Sequence, residues 1–491
     1  MRAVPFLFRR LTTVVLLPLL LNTGCEAATP SPELRWRFVG GTTLEQQTNA
    51  PALAGLLLHP ASQALRPLLV TNLATLWWTK VAPNSSAPEQ ALASARGLIP
   101  DLLDGLSLGE TAVTPQGRRE FAIALPLPPD RAEVWLSSWS NFFTLARGNQ
   151  AHPKVSYQQG WVLAVSDESI LDIRQTRKEL ATIPAEASTA LRLEVGTPLP
   201  VALLKVLVTD GVVKSELKVQ TVGAQPTKPK AWEIPDVIRF PFVKFTAARE
   251  TEPWLRQLPW MRDLPGGAVP SQFFLWSQPS NSPFSPFQTY ASARVERPTE
   301  FLRAAYQHLD AALHPTNRSI GLKLDFESNT NDAGFVIKGF PYVTPRFYPQ
   351  KEDQRDFVTM GMFVPRVITN RIPPQVIEAI SQTNLVYYDW EVTSQTAVQW
   401  NALSQVYEMG ANHMPKTSPG STWLTTSATN APACLTEGTI TGPHEVTFRR
   451  NSAIGLTSAE MSVLAAWLDW SGLKGRNLPA ATTGMANPSS H

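Results

Sequence analysis

Cysteine is almost missing from this chain: only Cys25 and Cys434 occur in 491 residues. Two cysteines exclude a disulfide-stapled scaffold and any zinc site built from three or four thiolates. The seven histidines include no H-x-x-x-H or H-E-x-x-H pair, so no helical metal-ligand set is present. A P-loop and a Gly-rich dinucleotide fingerprint are absent as well. These gaps leave no cofactor and no metal implied. Long apolar runs are missing too: beyond residue 21, proline, glycine or charge breaks every one before the ~20 residues of a membrane helix.

What is present begins with an address. Arg2, Arg9 and Arg10 form a basic start, and Leu11 to Leu21 is an uncharged run of signal-peptide length. Asn22-Thr23-Gly24-Cys25 is similar to a lipobox, in which a small residue precedes a cysteine that becomes lipid-modified. Asn22 stands where that pattern wants Leu, Val or Ile. Cleavage before Cys25 would anchor the protein through acyl chains, and cleavage after Ala27 or Ala28 would release it. The expectation is residues 1–24 as signal peptide and 25–33 as tether, with Cys25 as lipid attachment. The protein is then exported, to the periplasm or the outer membrane, as a lipoprotein.

The leader also explains the charge. Lys and Arg number 43 against 40 Asp and Glu, and the three leader arginines account for the whole formal +3. A balanced remainder offers no electrostatic case for nucleic acid. No Lys/Arg cluster suited to anionic lipid appears along the chain either; Lys228 and Lys230 are isolated in a Pro-rich stretch.

That stretch, GAQPTKPKAWEIP at Gly223 to Pro235, is the clearest seam. It divides an N-terminal α+β domain at 34–222 from a C-terminal one at 238–470, with 223–237 as linker and 471–491 as a disordered tail. Within each, a short alternating strand feeds an amphipathic helix, and the unit recurs. In LVYYDWEVTSQTAVQWNALSQVYEM, Val386, Tyr388, Trp390 and Val392 share one strand face and Asp389 and Glu391 the other. Ser394 is placed to cap a helix striped by Val398, Ala402, Val406 and Met409. Thr457-Ser458-Ala459-Glu460 is a capping box before Met461, Leu464, Ala465 and Leu468. Pro298 and Pro129 open helices after the strands FQTYASARV and FAIALPL. Leu191, Leu193 and Val195 form another strand, with Val201 to Val208 as its helix. Together these predict α+β: repeated strand/hairpin–helix units forming antiparallel sheets covered by helices, in two domains.

Four stretches, LRWRFVGGTTL (34–44), VIKGFPYVTP (336–345), TNLVYYDWEV (383–392) and FRRNSAIGLTSAEMSVLAAWL (448–468), carry a resemblance to a family of uncharacterised exported bacterial proteins. The resemblance implies export and a shared α+β build, and no reaction.

Chemistry-bearing patterns are few. Gly105-Leu106-Ser107-Leu108-Gly109 matches G-x-S-x-G, but a nucleophile elbow needs a strand before the serine and a helix after it. Here the helical composition precedes Ser107. Ser215 and Lys218 match S-x-x-K within an alternating strand, which sends the two side chains to opposite faces. Asp325, Glu327, Asn329, Asn331 and Asp332 are spaced like a calcium loop, yet Thr330 and Val336 occupy the Gly and Glu positions, which favours a hairpin turn. Cys434, between Ala433 and Leu435, suits a small buried hydrophobe. Trp254, Trp260, Trp276 and Phe284, on Pro-stiffened segments, are the candidate binding surface.

The function expected is therefore a non-catalytic binding or scaffolding role in the envelope. Its partners would be the membrane, through the lipid anchor, and another envelope protein or a glycan. The alternatives are a periplasmic serine hydrolase using Ser107 and a carbohydrate-binding protein.

Overall fold

The computed structural model describes residues 32–82, 87–113, 119–148, 152–166, 189–195, 202–209, 211–221, 224–279, 288–320, 323–329, 332–339, 344–361, 372–410, 418–429 and 431–469. Residues 1–31, with the expected leader and Cys25, and Phe284 lie outside them, as does the expected tail at 471–491.

The fold is α+β. The first half contributes β1 (Pro32–Phe38), helices α1 (Gly41–Glu45), α2 (Pro51–Leu58), α3 (Pro60–Val81) and α4 (Glu89–Asp104), then β2 (Ser107–Val113), β3 (Arg119–Pro126) and α5 (Pro129–Arg147). It continues with β4 (Lys154–Gln158), β5 (Trp161–Val165), β6 (Thr189–Val195), β7 (Ala202–Thr209) and β8 (Val212–Gln220). The second half runs β9 (Lys244–Arg249), α6 (Glu252–Leu255), α7 (Pro259–Arg262), β10 (Gln272–Gln278), β11 (Gln288–Arg294) and α8 (Pro298–Ile320). Next come β12 (Lys323–Asn329), β13 (Asp332–Lys338), β14 (Arg346–Glu352), β15 (Arg355–Gly361), α9 (Pro374–Ile380) and β16 (Leu385–Val392). The half ends with α10 (Thr393–Gly410), α11 (Pro419–Ala428), β17 (Ala433–Gly442), β18 (Glu445–Ser452) and α12 (Ser458–Asp469).

Among the described residues every strand pairing is antiparallel, and the pairings link the eighteen strands into one sheet. The spatial order is β4-β5-β3-β2-β1-β6-β7-β8-β18-β17-β16-β9-β10-β11-β15-β14-β13-β12. Both outer strands open on a lysine, Lys154 and Lys323, a residue that discourages further pairing at an edge.

The order repeats a plan. In the first half β1 pairs with β2 and β6, β2 with β3, β3 with β5, β5 with β4, β6 with β7 and β7 with β8. In the second half β9, β10, β11, β15, β14, β16, β17 and β18 pair in the same scheme. The strands β12 and β13 are extra. The two copies meet where β8 pairs antiparallel with β18, the relation a two-fold axis between them would produce. Helices lie on the same face of both copies: α5 on β4 and β5, α8 on β12–β15, and α10 on β16 and β17.

Sheet and core are continuous across the boundary expected at 223–237. The sheet crosses the Pro-rich segment through the β8–β18 pair, and α3 joins α11 and α12 in one core containing Leu65, Trp423, Met461 and Leu468. Asn72 of α3 donates to the Trp467 and Leu468 carbonyls of α12 at 3.1 and 3.2 Å. Nor is 223–237 a simple linker. Trp232, Ile234 and Val237 pack with Phe245, Phe274, Trp276 and Tyr388 on the sheet face opposite α8 and α10, where α9 also packs through Ile377 and Ile380. Arg249 fastens the segment, donating to the Lys230 carbonyl at 2.7 Å and lying 4.8 Å from the Trp232 ring.

Two local expectations also change. Val201 to Val208, expected as a helix, is strand β7 in its described part, with a hydrogen-bonded neighbour on each side. A short continuous apolar run has no periodicity of its own to decide between the two. On α10 the helix begins at Thr393 rather than after Ser394, and Val398 is 56% exposed while Ala397 is buried. The inward face is Thr393, Thr396 and Ala397, one position off the expected stripe.

Other units form as the sequence indicates. Thr457 and Glu460 make the reciprocal capping box, Thr457 N–H donating to Glu460 Oε2 at 2.9 Å and Glu460 N–H to Thr457 Oγ1 at 3.2 Å. Pro129 and Pro298 stand at the starts of α5 and α8. In α5, Trp135, Trp139, Phe142 and Phe143 are all buried against α3, α4 and the first-half sheet. The segment expected as a hairpin is β12–β13, with Asp325 salt-bridged to Lys338 at 2.6 Å.

Candidate functional site

Register places an unusual polar set under the helices of the second half. On β16, Asp389 and Glu391 alternate with Tyr388 and Trp390, so the apolar pair faces the Trp232 segment and the acids face α10–α12. One row across the sheet is Ser277, Lys244, Glu391 and Cys434. The next is Leu275, Thr246, Asp389, Thr436, Arg450 and Ser215. Asp389 is 5% exposed and Glu391 is fully buried.

Each charge in this set has a partner. Lys244 Nζ lies 2.8 Å from Glu391 Oε2 and 3.1 Å from Asp389 Oδ1. Asp389 Oδ1 also accepts from Thr246 Oγ1 at 2.5 Å. Glu391 reaches past the end of the sheet to the first turn of α12: Ser458 N–H donates to Oε1 at 2.6 Å and Ser458 Oγ to Oε2 at 2.8 Å. A carboxylate at a helix N-terminus satisfies an otherwise orphan donor and faces the positive end of the helix dipole. Arg450 completes the clamp, donating to both Glu460 oxygens at 2.7 and 3.0 Å and to Thr436 Oγ1 at 3.1 Å.

Electrostatics follows from these contacts. Burial alone would depress the Lys244 ammonium, but Asp389 and Glu391 together hold it above its ordinary value. A lysine kept protonated in this way has no free electron pair for nucleophilic chemistry. Burial pushes the Cys434 thiol up to about 12, so it is not a thiolate near neutrality. What the set can do is fix α12, and with it α11, to the sheet.

The strand plan does not itself demand these charges. On the same face of the first half, the row Trp36, Leu193, Leu204 and Leu217 is apolar throughout. It continues into Phe448, Gly438 and Tyr387 of the second half. Two glycines on this row admit aromatics: a Cβ on Gly109 would lie 2.1 Å from the Trp36 ring, and one on Gly438 2.8 Å from both Phe448 and Tyr387. Buried charge on these helix-facing rows is thus particular to one copy, while the first half buries Glu110 and Glu120 on the other face.

The residues singled out in the sequence are dispersed. Ser107 is 3% exposed at the first position of β2, opposite Phe38, and α4 ends just before it at Asp104. The order is helix then strand, the reverse of a nucleophile elbow. Ser215 and Lys218 lie on β8. Trp276 is 1% exposed and stacks on Tyr290 at 5.5 Å, so it belongs to the core rather than to a surface. Strand alternation turns it towards the Trp232 segment, whereas Trp260 packs on the helix side with Phe301 and stacks on His308 at 5.1 Å. Trp254 is half-buried on the short α6. Trp276 and Trp260 therefore do not share one surface, because Trp276 is buried and faces away from Trp260, and Phe284 lies outside the described residues. Among the described residues, no group of three or more His, Cys, Asp and Glu is placed to hold a metal ion.

The Lys244–Asp389–Glu391–Arg450 set escaped the sequence reading because its members come from three separated strands. Its one visible signal was the pair of acids alternating with large apolar residues in YYDWEV. Searches of protein-family models, curated proteins and solved structures find no match to this chain.

Proposed function

We propose that this protein is an exported, lipid-anchored envelope protein whose folded body binds or scaffolds rather than catalyses. The observation that carries the reading is the saturation of its most reactive-looking cluster. Glu391 accepts three hydrogen bonds, Lys244 is held between two carboxylates, and Ser458 is fully buried. Active sites keep acids, bases and nucleophiles with an open side for substrate, and this cluster spends every group on holding helices to a sheet. The leader-like start and the Cys25 motif support export and anchoring.

Two measurements test the halves of this reading separately. Labelled palmitate supplied to cells should enter the wild-type protein and not Cys25→Ser; equal labelling of both, or none in either, refutes the anchor. A fluorophosphonate probe should leave the protein unlabelled, and labelling that disappears in Ser107→Ala would establish the hydrolase alternative instead.

A further inference from the structure

The face of the sheet away from the helices carries a second register feature. Arg37 on β1, Arg192 on β6 and Lys205 on β7 stand directly opposite one another on three adjacent strands. Like charges in facing positions destabilise a sheet, so an alignment of three calls for a compensating anion. The nearest acids are committed to other cations: Glu110 to Arg35 at 3.1 Å, and Glu216, which faces Lys205 from β8, to Arg449 at 3.3 Å. Glu194 bonds Arg192 at 2.8 Å and lies 4.0 Å from Arg35. Arg37 and Lys205 have no ion pair among the described residues, and all three cations are partly exposed.

Position adds to charge. Strand β1 begins at Pro32, and the chain back to Cys25 is short enough to extend no more than about 25 Å. A lipid on Cys25 would keep this face within reach of the bilayer. We infer that the Arg37–Arg192–Lys205 row docks the folded body onto anionic phospholipid headgroups of the membrane that holds the anchor. The inference rests on the lipid-anchored reading for its geometry, while the charge row stands apart from it. Strands about 4.8 Å apart give a row roughly 10 Å long, the scale of a few headgroups rather than of an extended polyanion.

The test uses the full chain carrying Cys25→Ser, so that no acyl chain contributes. It is mixed with vesicles of phosphatidylcholine, with or without about 30 percent phosphatidylglycerol, at low and high salt. The expected result is binding to the anionic vesicles alone, weakened several-fold by salt. Arg37→Gln/Arg192→Gln/Lys205→Gln in that background should lower binding at least tenfold, since each cation near a charged bilayer is worth about five-fold. Its thermal midpoint should hold or rise, because the facing repulsion is gone. Undiminished binding by the folded triple variant, indifference to lipid charge, or binding to a soluble polyanion but not to vesicles would each overturn the inference. Because Cys25 is absent from every arm, these results are independent of the palmitate experiment.

Discussion

The two halves of this sheet follow one strand plan and finish it with different chemistry. Where the first half lays Trp36, Leu193, Leu204 and Leu217 across its helix-facing side, the second half lays Thr246, Asp389, Thr436 and Arg450 in a row, with Lys244 and the fully buried Glu391 beside them. Apolar rows pack against whatever apolar surface covers them. Buried charges are satisfied only by specific partners, and here the partners are Ser458 and Glu460 at one helix end. The difference teaches that the charged row selects where α12 sits, at a desolvation cost that an apolar row would avoid.

The largest expected effect comes from breaking that selection. Glu391→Ala leaves Ser458 N–H without its acceptor and Lys244 with half its countercharge. Urea unfolding should show a loss of about 3–5 kcal/mol. Leu204→Ala in the half-buried apolar row should cost less, about 1–2 kcal/mol. Equal losses would mean that the two halves are not chemically distinct. Next, Lys244→Met/Asp389→Leu/Glu391→Met rebuilds the second half in the manner of the first. It should recover at least half of the Glu391→Ala loss, since replacing a whole buried ion cluster by packed apolar groups is close to neutral. A triple variant less stable than Glu391→Ala would contradict this.

The glycines test what the halves share. Gly109→Ala and Gly438→Ala each drive a methyl group into an aromatic side chain, and each should cost about 1–3 kcal/mol by thermal unfolding. Cost at one and not the other would break the parallel.

Cys434 gives a signal confined to high pH. Burial raises its folded thiol above the unfolded value, so the native chain keeps a proton that the unfolded chain releases. Its contribution is complete below about pH 9 and is lost as pH rises towards 12, at up to about 1.4 kcal/mol per pH unit. In a Cys25→Ser background, Cys434→Ala should flatten the decline in urea stability between about pH 9 and pH 11. An unchanged slope would show that the thiol is not buried as described.

Much of this fold was legible along the chain because its signals are local. The capping box at Thr457–Glu460 involves residues three apart, and the Pro129 and Pro298 helix starts depend on a fixed φ and a missing N–H. Period-two alternation correctly set Asp389 and Glu391 apart from Tyr388 and Trp390. It could not show that the acid face is buried as deeply as the apolar one, because that depends on α12 returning from beyond β18 to supply donors. The strand at Ala202–Thr209 failed for the converse reason: a run apolar at every position becomes strand or helix according to the neighbours it finds. Pro and Lys suggested a linker at 223–237, whereas Trp232 and Ile234 needed an apolar sheet face to lie on, and only the assembled β9, β10 and β16 provide one.

By itself the sequence determined the α+β class, the strand-to-helix units, the helix starts and the scarcity of cysteine. Each of these rests on backbone preferences and contacts within a few residues. The tertiary structure alone decided that two copies of one plan share a single sheet, that Lys244 meets Asp389 and Glu391, and that Arg37, Arg192 and Lys205 align. The reason is that cross-strand neighbours are chosen by hydrogen-bond register between segments far apart in the chain, and register leaves no mark on either segment read alone.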